Sequence, residues 1–277
     1  MVCCLPAAFL RAEEKPAATP VVEALKVLVG RQRELLAKAA QQTSQAELED
    51  LRAQFQELVF SYEDYLKKYP DVAAGYVSYA LLLNQPVLDE RKHAAALLLK
   101  ANQLDPNLPI VKNQLGNYLA EEGKPLDALN YYLAAVKLAP EEPLYHYQLG
   151  TLLTEAREDL LKSGAWTRTT LDQAMQDAFE QASALAPGNA AYAYRYGESF
   201  YDLERPEWSA ALTFWQTFEG KVTAPVEKET IRLHQANVLI HQEKFTEARS
   251  LLATVTEPAL QVQKQKLVAQ LPAKSAK

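Results

Sequence analysis

The feature that most constrains this chain of 277 residues is a spacing. Leu115-Gly116 is followed by Ala128, Tyr132, Ala135 and Pro140, and the same order returns as Leu149-Gly150 with Phe179, Ala182 and Pro187. It returns again as Tyr196-Gly197 with Ala210 and Phe214, and in a weaker copy as Ala236 with Ala248 and Leu252. Gly116 and Gly150 stand 34 residues apart, and so do Pro106 and Pro140. A period in this range marks a chain built of stacked supersecondary units, each too small to bury its apolar face alone. Glycine is scarce, at 9 residues, and strand-like alternation is hard to find. Ala, Leu, Gln, Glu and Lys dominate instead, the residues that lose least on entering a helix, so the units are predicted to be all-α.

The order Leu-Gly, Ala, aromatic, Ala, Pro resembles the tetratricopeptide repeat family, with Pro109 to Glu142 the best copy. The resemblance implies a helix-turn-helix solenoid, a right-handed superhelical array with capping helices at both ends. Glycine in the first helix of each unit lets the second helix approach closely, and the proline closes the second helix before the next turn. About four to five units are expected over residues 55–258. Residues 21–54 are read as an N-terminal helical cap, with Val21 to Ala40, which carries Leu25, Leu28, Leu35 and Leu36 on one stripe, as a partner or cap for the array. Residues 259–277 are read as a C-terminal capping helix, Leu260 to Leu271, and a disordered tail.

Departures from the period mark local additions. Gly150 and Gly197 are 47 residues apart, which predicts an insertion near 156–170. There the first helix is expected to run on to Leu160, break at Ser163-Gly164 and restart after a capping box at Thr170-Leu171-Asp172-Gln173, with Trp166 near the surface. Gly197 and Ala236 are 39 apart, so padding is expected around Gly220 to Pro225, and Gln85-Pro86-Val87 stretches the unit from Asp71 to Asn107.

A net charge of −6 gives no general attraction to phosphate backbones, so nucleic acid is not an expected partner. Both cysteines, Cys3 and Cys4, are adjacent at the N-terminus, leaving the repeat body without a thiol. Residues 1–20 contain the apolar run Val2 to Leu10, the small residue Ala12 and then an acidic, Pro/Ala-rich stretch, which resembles the end of a secretory signal without its basic segment. Export, for instance to a bacterial periplasm, is the expectation, with a cytoplasmic protein and a frayed terminus as the alternative. The run is far shorter than the roughly 20 residues a spanning helix needs, so no integral membrane span is expected.

No catalytic constellation, cofactor or metal site is expected. His93, His146, His234 and His241 lack the spacing of a helical zinc site; His234 and His241 are two turns apart without a third ligand and read as hydrogen-bonded surface side chains. Gly123-Lys124 is followed by Pro125 rather than Ser or Thr, which rules out a phosphate loop and marks a turn. The expected partner is another protein or a peptide. The family resemblance implies that first helices line a concave groove, and it places Asn113, Gln114 and Asn117, then Tyr147, Gln148 and Thr151, then Tyr194, Arg195 and Glu198 on that surface. Asn and Gln there would bond a peptide backbone, Tyr would add apolar area, and Arg195 would clamp a carboxylate. The family's chaperone carboxylate clamp is matched at Asn113, Asn117, Gln148, Ala191 and Arg195, but its lysines are missing, which argues against an acidic peptide terminus. The expected role is an interaction scaffold; the alternative is a regulatory or substrate-presenting module of a multi-protein enzyme or envelope-assembly complex.

Overall fold

The structure is a computed structural model that describes residues 19–41 and 45–272, without the side chains of 45–48. The signal-like stretch before Thr19 and the last residues of the expected tail lie outside the described residues. Two compact units meet in sequence between Ala139 and Pro140. The first holds three helix pairs: α1 (Pro20–Ala39) with α2 (Gln45–Lys68), α3 (Ala73–Leu83) with α4 (Arg91–Leu104), and α5 (Pro109–Glu121) with α6 (Pro125–Leu138). In the second unit, α7 (Pro143–Glu155) pairs with α9 (Arg168–Leu185) around the short α8 (Arg157–Lys162). It continues with α10 (Ala190–Asp202) and α11 (Trp208–Glu219), α12 (Pro225–His241) and α13 (Phe245–Ala253), a 3₁₀ turn at Pro258–Leu260, and α14 (Gln261–Val268).

The glycine spacing has a direct cause. A Cβ at Gly116 would stand 2.9 Å from the ring of Tyr132, at Gly150 2.8 Å from Phe179, and at Gly197 2.3 Å from Trp215. In each pair an aromatic of the second helix occupies the space a side chain on the first would need. Prolines open α1, α5, α6, α7 and α12, where the missing N–H costs nothing and the fixed φ suits the first turn. Between α5 and α6 the turn passes through Gly123 at φ 70°; the corresponding turn between α12 and α13 passes through Glu243 at φ 60°. The Lys124 N–H donates to Leu119 O and the Lys244 N–H to Leu239 O, so both turns close alike.

At the N-terminus the structure corrects the expected boundary. One helix, α2, runs unbroken across 54/55, because Leu51, Phe55, Leu58, Tyr62 and Leu66 form a single buried stripe. Of the two roles expected for the Val21–Ala40 segment, partner or cap, it takes the first: it is the first helix of a pair with α2. Inside this pair the Tyr62 hydroxyl donates to Gln32 Oε1 at 2.7 Å and the Tyr65 hydroxyl to Val21 O at 3.2 Å, which satisfies polar groups the pairing buries. At the other end, Leu260, Leu267, Val268 and Leu271 pack on the apolar cluster of α12 and α13, as a terminal cap does.

The expected insertion is α8 and the linker after it, with Gly164 at φ 75° making the break. Leu160 is fully buried and holds α8 down. The helix restart differs from the expectation. Thr167, not Thr170, is the N-cap: its Oγ1 accepts from the Thr170 N–H at 3.2 Å, and Thr170 Oγ1 accepts from the Thr167 N–H at 3.1 Å. The earlier start brings Arg168 one turn before Asp172, which is buried and takes a bond from Arg168 Nε at 2.8 Å and from the Glu204 N–H at 2.7 Å. Arg168 also donates to Asp202 O at 2.6 Å, so this pair fastens α9 to the end of α10.

Candidate functional site

Of the candidate groove residues, three lie on α5 in the first unit. Asn113 is only 1% exposed, and neither of its amide atoms has a hydrogen-bond partner among the described residues. It is a buried residue, which corrects its placement on an open surface. Asn117 accepts from the Tyr132 hydroxyl at 2.6 Å and so orients the ring that fills the Gly116 notch. Gln114 is half-buried. The family resemblance takes no account of how much of their polarity the packing absorbs.

The other six lie on α7 and α10 in the second unit. Thr151 turns its hydroxyl back to the Tyr147 carbonyl at 2.9 Å, as helical threonines do, and Gln148 is half-buried. Tyr147 stays partly open, edge-on to Phe179 and 4.9 Å from the ring of Tyr192, a residue outside the expected set. Tyr194 is half-buried against Trp215, Phe218 and His234, with centroid separations of 5.8, 5.2 and 6.1 Å. Glu198 is exposed.

Arg195 is the main correction. Its guanidinium donates to Asp202 Oδ2 at 2.9 Å and to Thr154 Oγ1 at 3.0 Å, and it lies 4.2 Å over the ring of Phe179. Only 20% of its side chain is exposed. A cation held by a carboxylate, a hydroxyl and a π-face is not free to clamp a ligand carboxylate. The partners come from α7, α9 and the far end of α10, so no local pattern around Arg195 announces them.

Of the two histidines read as surface side chains, His241 is exposed and His234 is corrected. His234 is not a surface residue: its ring stacks on Trp215 at 4.1 Å and 10°, and burial holds its pKa down at about 4, so it is neutral. His241 stacks on Trp208 at 4.2 Å and 6°. Trp208 and Trp215, like His234 and His241, are two helical turns apart, and α11 and α12 therefore carry a two-rung aromatic ladder. No group of three His, Cys, Asp or Glu able to hold a metal occurs among the described residues, and no described helix is long and apolar enough to cross a membrane.

What is left open on α7 and α10 is tyrosine and carboxylate. The Tyr194 hydroxyl has its pKa pushed up to about 12, first by burial and then by the nearby carboxylates of Glu227 and Glu198. Tyr192 is raised by burial, then by Glu142. Apart from Arg195 neither helix contains a Lys or Arg.

No family profile and no curated protein sequence matches the chain. Solved structures do. The chain is similar to YrrB, described as a TPR protein with an unusual peptide-binding site, at 15% identity over 75% of this chain and 97% of that one, with a TM-score of 0.59. PilF of Pseudomonas aeruginosa is similar at 16% identity over 90% of this chain and 99% of that one, with a TM-score of 0.58. A chain of the Naa15/Naa10 complex bound to HypK-THB matches at 17% identity and a TM-score of 0.55; 88% of this chain covers 34% of that longer one. At such identities the likeness is one of architecture: the chain has the tetratricopeptide-repeat fold, an all-α array of stacked helix pairs.

Proposed function

We propose that the chain is a non-enzymatic scaffold whose second unit holds a segment of another protein along the open faces of α7 and α10. Structures of this fold support an interaction role in general. One observation carries the finer reading. Once the packing contacts are assigned, Tyr147, Tyr192 and Glu198 remain partly or fully open on the first helices of two successive pairs. Rigid aromatic side chains with polar tips add contact area at low entropic cost, which suits them to peptide recognition.

The test is affinity capture from extract of the native cell with the parent chain and with Tyr147→Ala/Tyr192→Ala. A protein retained by the parent and lost with the variant, at equal helical circular dichroism, is the expected result. Equal retention of that protein by both sinks the reading. Export belongs to the same proposal, and N-terminal sequencing of the native protein decides it: a start after Ala12 supports it, a start at Met1 removes it.

A further inference from the structure

Charge on this surface is the reverse of what an Arg195 clamp would give. Arg195 is neutralised by Asp202, and no other cation lies on α7 or α10. The carboxylates are less constrained. Glu155 and Glu198 are exposed and make no ion pair among the described residues, while Glu142 caps α7, accepting from the Leu144 N–H at 3.5 Å. Glu227 opens the first turn of α12, with Lys228 beside it as one cation against four acids.

Tyrosines accompany these acids. Glu198 lies four residues after Tyr194 and three before Tyr201, spacings that put all three on one strip of α10. Tyr194 is also within electrostatic reach of Glu227. On the neighbouring pair the tilted Tyr147 and Tyr192 rings stand 4.9 Å apart with Glu142 close to Tyr192. A carboxylate beside an aromatic edge or face accepts an ammonium or guanidinium, while the ring covers the aliphatic stem behind it.

We infer that the α7/α10 surface recognises a cationic protein segment, taking Lys or Arg side chains at two places, Glu198 with Glu227 and Tyr194, and Glu142 with Tyr147 and Tyr192. The inference rests on the scaffold reading above and specifies its partner as a basic, extended segment. Arg195 then has a positioning role: by holding Asp202 it keeps that carboxylate out of competition and braces α10 against α7 through Thr154.

The experiment uses the full chain and three short fluorescein-labelled peptides, alternating alanine with lysine, with glutamine or with glutamate, read by fluorescence anisotropy. The lysine peptide should bind tightest and weaken with added salt. Glu198→Gln should weaken it about fivefold, as expected of a solvent-facing charge pair worth about 1 kcal/mol, and Glu198→Gln/Glu227→Gln by roughly tenfold or more. Glu247→Gln, which removes an exposed acid on α13 and the same formal charge, should leave binding unchanged. If Glu247→Gln weakens binding as much as Glu198→Gln, the attraction is bulk charge and the inference is overturned. It is also overturned if the glutamine or glutamate peptide binds as tightly as the lysine peptide. In that case loss of the neutral peptide on Tyr147→Ala/Tyr192→Ala would leave the scaffold reading standing, and the two failures are thereby distinguished.

Discussion

Gly197→Ala should destabilise the second unit by about 2 kcal/mol, although alanine is the better helix former. The added Cβ would stand 2.3 Å from Trp215 Cζ2, 2.6 Å from its Cη2 and 2.7 Å from Phe214 Cε1. Carbon atoms pack at roughly 3.5–4 Å, so the indole must retreat by more than about 1 Å. It has nowhere to go: Trp215 is fully buried and stacked on His234 at 4.1 Å. Overpacking of this kind costs about 3 kcal/mol, and the helix-propensity gain of alanine over glycine returns about 1 kcal/mol. Gly30→Ala in α1 is the matched control, since nothing lies within 4 Å of its Cβ, and it should stabilise by about the propensity term alone. Stacked repeats need not unfold as one unit, so urea titrations should be followed both by tryptophan fluorescence and by far-UV circular dichroism. All three tryptophans lie in the second unit, which makes fluorescence its local probe. Gly197→Ala should lower the fluorescence midpoint, and Gly30→Ala should raise the dichroism midpoint without moving the fluorescence one. A neutral or stabilising Gly197→Ala would refute the claim that the glycine is there to admit the ring.

His234 is neutral in the folded unit, with a pKa of about 4 against an ordinary 6.5, so the unfolded chain binds the proton first as pH falls. The unit should lose about 3 kcal/mol between pH 6.5 and 4 through this group, and His234→Phe should show a correspondingly shallower pH dependence of the fluorescence midpoint. Asp172→Ala leaves the Glu204 N–H without its acceptor and Arg168 with only Asp202 O, and should cost about 3 kcal/mol in urea titration, as breaking a buried pair does; an unchanged midpoint would mean that water replaces the carboxylate. Glu243→Gly relieves a left-handed backbone on a non-glycine residue and should stabilise the α12–α13 pair by about 1 kcal/mol, measurable as a raised thermal midpoint.

The repeat was legible because each helix pair needs a glycine notch on its first helix to admit a ring from its second, and where a pair carries no insertion, notch follows notch at the 34-residue period of Gly116 and Gly150. The first pair lacks the sign. Its α2 is an unbroken stripe of Leu and aromatic residues, and the glycine it packs on, Gly75 against Tyr65, belongs to the next pair. The cap at Thr167 differs by three residues from the expected one because Thr170/Gln173 matches the usual Ser/Thr-x-x-Glu/Gln box, whereas Thr167/Thr170 has a hydroxyl where that box has a Glu or Gln. What decides between them is the buried Asp172, whose partners include a backbone N–H 32 residues away. Tyr147 and Glu198 were expected on an open face only through the family resemblance. Arg195 could not be judged that way, because whether a cation is free depends on Asp202, Thr154 and Phe179 together, and these converge only once the helices have packed.

The insertion also sets a timetable for the chain as it is made. Each notch glycine waits for its ring: Tyr132 follows Gly116 by 16 residues and Trp215 follows Gly197 by 18, but Phe179 follows Gly150 by 29. At synthesis rates of about 5–20 residues per second, α7 emerges from the ribosome with its apolar notch uncovered for more than one and a half times as long as α5 or α10. That interval makes the emerging α7 the stretch of nascent chain with most time to meet a chaperone or a wrong helix, and shortening α8 and its linker would close the window.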